Sequence, residues 1–232
     1  MQLVFGPEEA VDLTLEKRDT KSASPPAFVP AVLEKRFTIS TPQVLALTPE
    51  RLQDDPEAAA FMRAAGSVAF DVVSLSCTFY SNEKEPFEEA WVGVRLHTKE
   101  NRQDAPIAWS MKPMHDSDLI EESGTIKVEA GLKLFNDVEP TLGLEIGDKR
   151  QRQQNFVTAF GLQQSEPYWY FRKTSQRDLE GSYRLTLVVR RSKKTPTTGM
   201  VSAKATVRKT AALVFTYKSS FEPAPSLSFT LR

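Results

Sequence analysis

The chain has 232 residues, enough to bury a large hydrophobic core without disulfide or metal support, and its 40% apolar and 26% charged content places it among globular chains rather than disordered ones. Thirty basic residues balance thirty acidic ones, so overall charge directs the chain neither to nucleic acid nor to a membrane surface, and weak self-repulsion leaves self-association open. One cysteine, Cys77, forbids an intrachain disulfide, and no run approaches the ~20 apolar residues that a spanning helix needs. With no basic leader before its first apolar residues, the chain is expected to be cytoplasmic.

Leu3 to Phe5 reads as a short strand, and Val11, Leu13 and Leu15, alternating with Asp12, Thr14 and Glu16, as another. The polar, proline-bearing stretch Lys17 to Pro26 reads as a connection. Residues 1–36 are therefore expected to form an extended arm, and residues 37–232 a single β domain. An isolated strand is unstable in water. The face formed by Val11, Leu13 and Leu15 must then add to a sheet edge, either of its own chain or of a second copy, and is a candidate interface. Phe37 and Ile39 open the next alternating run.

Residues 49–65 carry the one helical signal. Thr48-Pro49-Glu50 and Asp55-Pro56-Glu57 each offer an N-cap oxygen, a proline for the first turn and an acid favoured by the helix dipole. Ala58, Phe61, Met62 and Ala65 follow at helical spacing, and Gly66 supplies a stop. The pattern predicts one short helix, or two separated near Asp55.

From Val68 onward the period is two. Val73, Leu75, Cys77 and Phe79 share one face; so do Val92, Val94 and Leu96; Ile126 to Leu134 alternates as well. Tyr183 to Val189, Val201 to Val207, Leu213 to Tyr217 and Leu227 to Leu231 repeat the pattern. Such strands, without helical crossovers between them, predict an all-β fold: an antiparallel sandwich or jelly-roll-like barrel with one short helical insertion. A single-sheet α+β domain is the alternative.

Four groups of residues bear on function. The acidic stretch His115 to Glu122 could offer oxygens to a hard cation, but it lacks the glycine and the spacing of a calcium loop and reads as a solvated turn, so no metal or cofactor is expected. Cys77 could act as a nucleophile with His97 or His115, yet it shares register with Val73, Leu75 and Phe79 and reads as core. Tyr168, Trp169, Tyr170 and Phe171 make both faces of one strand aromatic; that predicts a strand covered on both sides, or one face left as a platform that stacks on a sugar, base or peptide or meets another subunit. Finally, Arg184, Arg190, Lys204 and Arg208 fall on the polar side of two runs expected to form a hairpin, with Arg190, Arg191, Lys193 and Lys194 where it begins to turn, a basic ribbon able to meet phosphates or to shield a sheet edge.

No phosphate loop, nucleophile elbow or zinc spacing is present in the sequence. These features together predict a non-catalytic protein-interaction or self-assembly module, with a protein or a second copy as partner. A polyanion binder using the basic hairpin 184–209 is the first alternative, and an enzyme with a dispersed site near residues 115–122 the second.

Overall fold

The computed structural model describes residues 7–17, 32–52, 55–81, 86–98, 105–115, 155–175, 177–210, 214–221 and 227–231; residues 8–17, 32–35, 208–210 and 214–221 are described by backbone alone. The expected strands at 3–5 and 126–134 and the acidic residues 116–122 lie outside the described residues.

The fold is all-β, two antiparallel sheets with one short helix; the single-sheet alternative does not occur. Sheet I runs β6 (Ile107–Lys112), β9 (Gly181–Ser192), β4 (Val68–Phe79), then β2 (Val32–Ser40) and β1 (Glu8–Lys17). Sheet II runs β7 (Val157–Phe160), β8 (Tyr168–Arg172), β5 (Phe87–Thr98), β10 (Thr197–Thr210) and β11 (Val214–Phe221). The expected arm lies in both sheets: β1 pairs with β2 from Glu8 to Thr14 and with β11 from Leu15 to Lys17. Within the single chain, then, Val11 and Leu13 lie in the part paired with β2 and Leu15 in the part paired with β11; their side chains lie outside the described ones.

Each sheet has one long strand flanked by two short ones in tandem. β4 pairs with β2 through Phe37–Ile39 and with β3 (Gln43–Ala46) through Ser74–Asp71. At the gap between them the Ser40 hydroxyl accepts the Ser76 backbone N–H at 2.8 Å, so a buried donor is satisfied where the ladder is interrupted. β10 likewise carries β11 and then β12 (Ser228–Leu231). Gly199 is needed there because the Phe229 ring lies directly over it; a Cβ at that position would stand 2.1 Å from the ring carbon Cζ.

The core between the sheets takes the inward residues that alternation predicts: Val73, Leu75, Cys77 and Phe79 from β4, Leu185, Leu187 and Val189 from β9, Val92, Val94 and Leu96 from β5, and Val201, Ala203 and Ala205 from β10. Trp169 and Phe171 complete it, and the Trp169 indole N–H donates to the Pro113 carbonyl at 3.1 Å, which allows its polar edge to be buried.

A second, smaller core lies on the outer face of sheet I. A 3-10 turn, Pro49–Leu52, and helix α1, Pro56–Ala64, press Leu52, Ala58, Ala59 and Met62 onto Phe70, Val72 and Val188. The helical insertion is thus two elements separated near Asp55, and Asp55 caps α1 by accepting the Ala58 N–H at 2.9 Å. The cover explains why Phe70 and Val72 of β4 are buried on the outer face, where alternation predicts a wet one.

The expected hairpin between residues 184 and 208 does not form. β9 pairs with β4 and β6, whereas β10 pairs with β5, β11 and β12, so the two consecutive strands belong to opposite sheets. The link Lys193-Lys194-Thr195-Pro196 has no glycine for a tight turn, and Pro196 has no N–H to give to a ladder. Lys193 N bonds instead to the Ser67 carbonyl, which ends the segment on sheet I before the chain crosses over.

Candidate functional site

The crossing dismantles the basic ribbon. Arg184 and Arg190 stay with sheet I, while Lys204 faces outward from sheet II. Arg191, expected on the basic surface, is 5% exposed at the end of the core, where its Nε donates to Asp71 Oδ2 at 2.6 Å and its Nη1 to the Ser192 carbonyl. Odd-numbered residues of β9 face inward, which is why Arg191 follows Val189 into the core. Burial pushes the Asp71 carboxyl above the ordinary carboxylate range, with Arg191 pulling in the opposite direction. Lys193 and Lys194 are exposed, and the Lys193 ammonium donates to the Gly66 carbonyl at 2.7 Å.

Cys77 is fully buried between the sheets, while His97 is exposed on the outer face of sheet II and His115 is exposed where it bridges to Thr158. The three residues of the thiol reading are therefore not brought together. Among the described residues no group of three or more His, Cys, Asp or Glu is placed to hold a metal, and no helix is long and apolar enough to cross a membrane.

The aromatic run resolves into two halves. Trp169 and Phe171 point into the core, but Tyr168 and Tyr170 stand half-buried on the outer face of sheet II, so the strand is not covered on both sides. Register places further residues beside them. One cross-strand row is Ser202, Gly93, Tyr168 and Phe160; the next is Lys204, Trp91, Tyr170 and Thr158; a third is Thr206, Glu89 and Arg172. Neighbours in such rows lie close enough for their side chains to pack.

The aromatic rings pair along these rows. Trp91 and Tyr170 have centroids 4.9 Å apart, and Phe160 stacks on Tyr168 at 5.1 Å. The Tyr170 hydroxyl donates to Glu89 Oε2 at 2.6 Å, while Thr206 donates to Glu89 Oε1 at 3.3 Å. Burial first, and then the Glu89 carboxylate, push the Tyr170 phenol up to about 12. Glu89 thereby fixes Tyr170, and Tyr170 in turn supports Trp91.

Gly93 leaves a hole in this surface. Trp91, Arg95, Glu166, Pro167, Tyr168, Ser202 and Lys204 surround a pit of about 410 Å³ above it. The far wall is held by backbone bonds from Val94 N to the Pro167 carbonyl and from Leu96 N to the Ser165 carbonyl, and by an exposed Arg95–Glu166 ion pair at 3.0 Å. Sequence reading found Tyr168 and Tyr170 but missed Trp91, Phe160 and Gly93, because only strand pairing brings residues 91–95, 160 and 202–204 beside one another.

No family model matches the chain, and no curated protein matches it. Among solved structures the chain is similar to the Clostridium perfringens NetB toxin in its membrane-inserted form, at 8% identity over 97% of this chain and 94% of that one, with a TM-score of 0.32. A likeness at that score carries no argument about this chain.

Proposed function

We propose that this protein is a non-catalytic interaction module whose contact surface is the outer face of sheet II, meeting a protein partner or a second copy of the chain. The observation that carries this reading is the two aromatic pairs Trp91–Tyr170 and Tyr168–Phe160, in neighbouring cross-strand rows, which stand on an outer face although the inner face of the same strands already fills the core. Phe160 is 42% exposed and Met200, on the same face, 46%. Aromatic residues and methionine are types enriched at protein interfaces, the aromatics because they bring a large surface with few rotatable bonds and methionine because its flexible thioether adapts to the partner.

Light scattering over a concentration series, on the intact chain and on Phe160→Glu, tests the reading with the chain itself as probe. The mass of the intact chain is expected to rise toward that of a dimer, and Phe160→Glu to stay at monomer mass. A mass that rises equally in both removes this face from the contact; a monomer at every concentration removes self-pairing.

A further inference from the structure

We infer that the pit over Gly93 is a binding site for a single saccharide ring bearing a carboxylate, held between Trp91 and the Arg95–Glu166 pair. The inference goes beyond self-pairing but uses two residues of the same surface, Trp91 and Tyr168, so a bound saccharide and a second copy of the chain are expected to compete.

Shape is the first argument. Trp91 and Arg95 are four residues apart on one strand, about 13 Å, and Ser202 and Tyr168 are two strand spacings apart, about 10 Å. Gly93 lies midway and contributes no side chain, so a six-membered ring has room between these walls. The volume of about 410 Å³ is in the range of small-ligand sites.

Chemistry is the second. Trp91 and Tyr168 offer aromatic surface, whose negative face attracts the weakly positive C–H groups of a pyranose. Around them stand a guanidinium, a carboxylate, a hydroxyl and an ammonium, from Arg95, Glu166, Ser202 and Lys204. A ring with hydroxyls on its rim and C–H groups on its face uses both kinds of group; a purely apolar ligand would strand the polar ones.

Charge and topology exclude the competitors. Arg95 and Lys204 outnumber Glu166, and Arg95 is already paired with it, so a cationic ligand is repelled and Lys204 is left to meet an anion. A peptide adding as a strand has no edge to use, because β5 is paired with β10 on one side and β8 on the other.

The probes are the methyl glycosides of glucose and of glucuronic acid, which differ at one carbon, with amide and Trp91 indole shifts in nuclear magnetic resonance as the readout. Glucuronide is expected to shift Trp91, Gly93, Tyr168 and Ser202, and to bind about tenfold more tightly than glucoside, as a charge-assisted hydrogen bond allows. Lys204→Ala should erase that difference. Gly93 has a backbone that any residue can adopt, and a Cβ there meets the Ser202 hydroxyl at 3.3 Å; Gly93→Ala should weaken binding and Gly93→Val abolish it, with circular dichroism unchanged. The inference is overturned if neither glycoside shifts these residues, if a folded Gly93→Val or Gly93→Ala variant binds as well as the intact chain, or if glucoside and glucuronide bind alike. Phe160→Glu removes the ring stacked on Tyr168 but replaces no residue lining the pit, and should still bind glucuronide, so loss of self-pairing and loss of saccharide binding are read separately.

Discussion

The two outer faces of the sandwich differ in how they treat exposed aromatic surface. On sheet I, Phe70 and Trp109 meet with ring centroids 5.5 Å apart, and Phe61 of α1 closes over both. On sheet II, Trp91, Tyr170, Tyr168 and Phe160 form a comparable group with no helix laid over it among the described residues. Among the described residues, one aromatic face is covered by the chain's own insertion and the other is not, and in the proposed reading the second is met from outside. Covered aromatics stabilise the fold, whereas uncovered ones at the centre of a sheet are available for contact.

Truncation at matched positions sharpens that contrast most. Phe70→Ala should cost about 3–5 kcal/mol in denaturant unfolding, as for a buried aromatic, while Trp91→Ala should cost about 1–2 kcal/mol because its ring is only half covered. Equal losses would mean that the sheet II face is structural. At the end of the core, Asp71→Ala should also cost about 3–5 kcal/mol, since it removes the carboxylate that balances the buried Arg191 charge, and replacing both residues with apolar ones of similar size should recover much of the loss. Asp55→Ala, which removes the α1 cap, should cost about 1 kcal/mol and loosen the cover on sheet I without altering self-pairing.

The smallest effect is at Tyr170. Its phenol ionises at about 12 in the folded chain against an ordinary value of 10.0. A raised value means that the neutral form is favoured by folding; the contribution is whole below pH 10 and is lost as pH rises through 12. Phenolate absorbance should show one late step that Tyr170→Phe removes.

Periodicity made the faces of the strands legible, and not their neighbours. Alternation at Val73–Phe79 and Leu185–Val189 identifies inward residues because burial of one side is a local property of a strand. The failure at residues 184–208 is of another kind. Two alternating runs around a short polar link look like a hairpin, and only the hydrogen bonding of Lys193 to Ser67, with the missing N–H of Pro196, sends the second run to the other sheet. β6 escaped notice because an irregularity between Ala108 and Ser110 breaks its alternation, and β3 and β7 because four residues carry too few apolar positions to show a period. The site was half visible for the same reason: Tyr168 and Tyr170 are two residues apart on one strand, whereas Gly93, Trp91, Phe160 and Lys204 join them only through cross-strand register.

Hydroxyl-radical footprinting between dilute and concentrated protein tests the central claim most directly. The account predicts that Trp91, Tyr168 and Phe160 lose oxidation as concentration rises, while Phe61 and Trp109 on sheet I do not change. Constant oxidation at Trp91, Tyr168 and Phe160 across the series, or protection confined to sheet I, would contradict it.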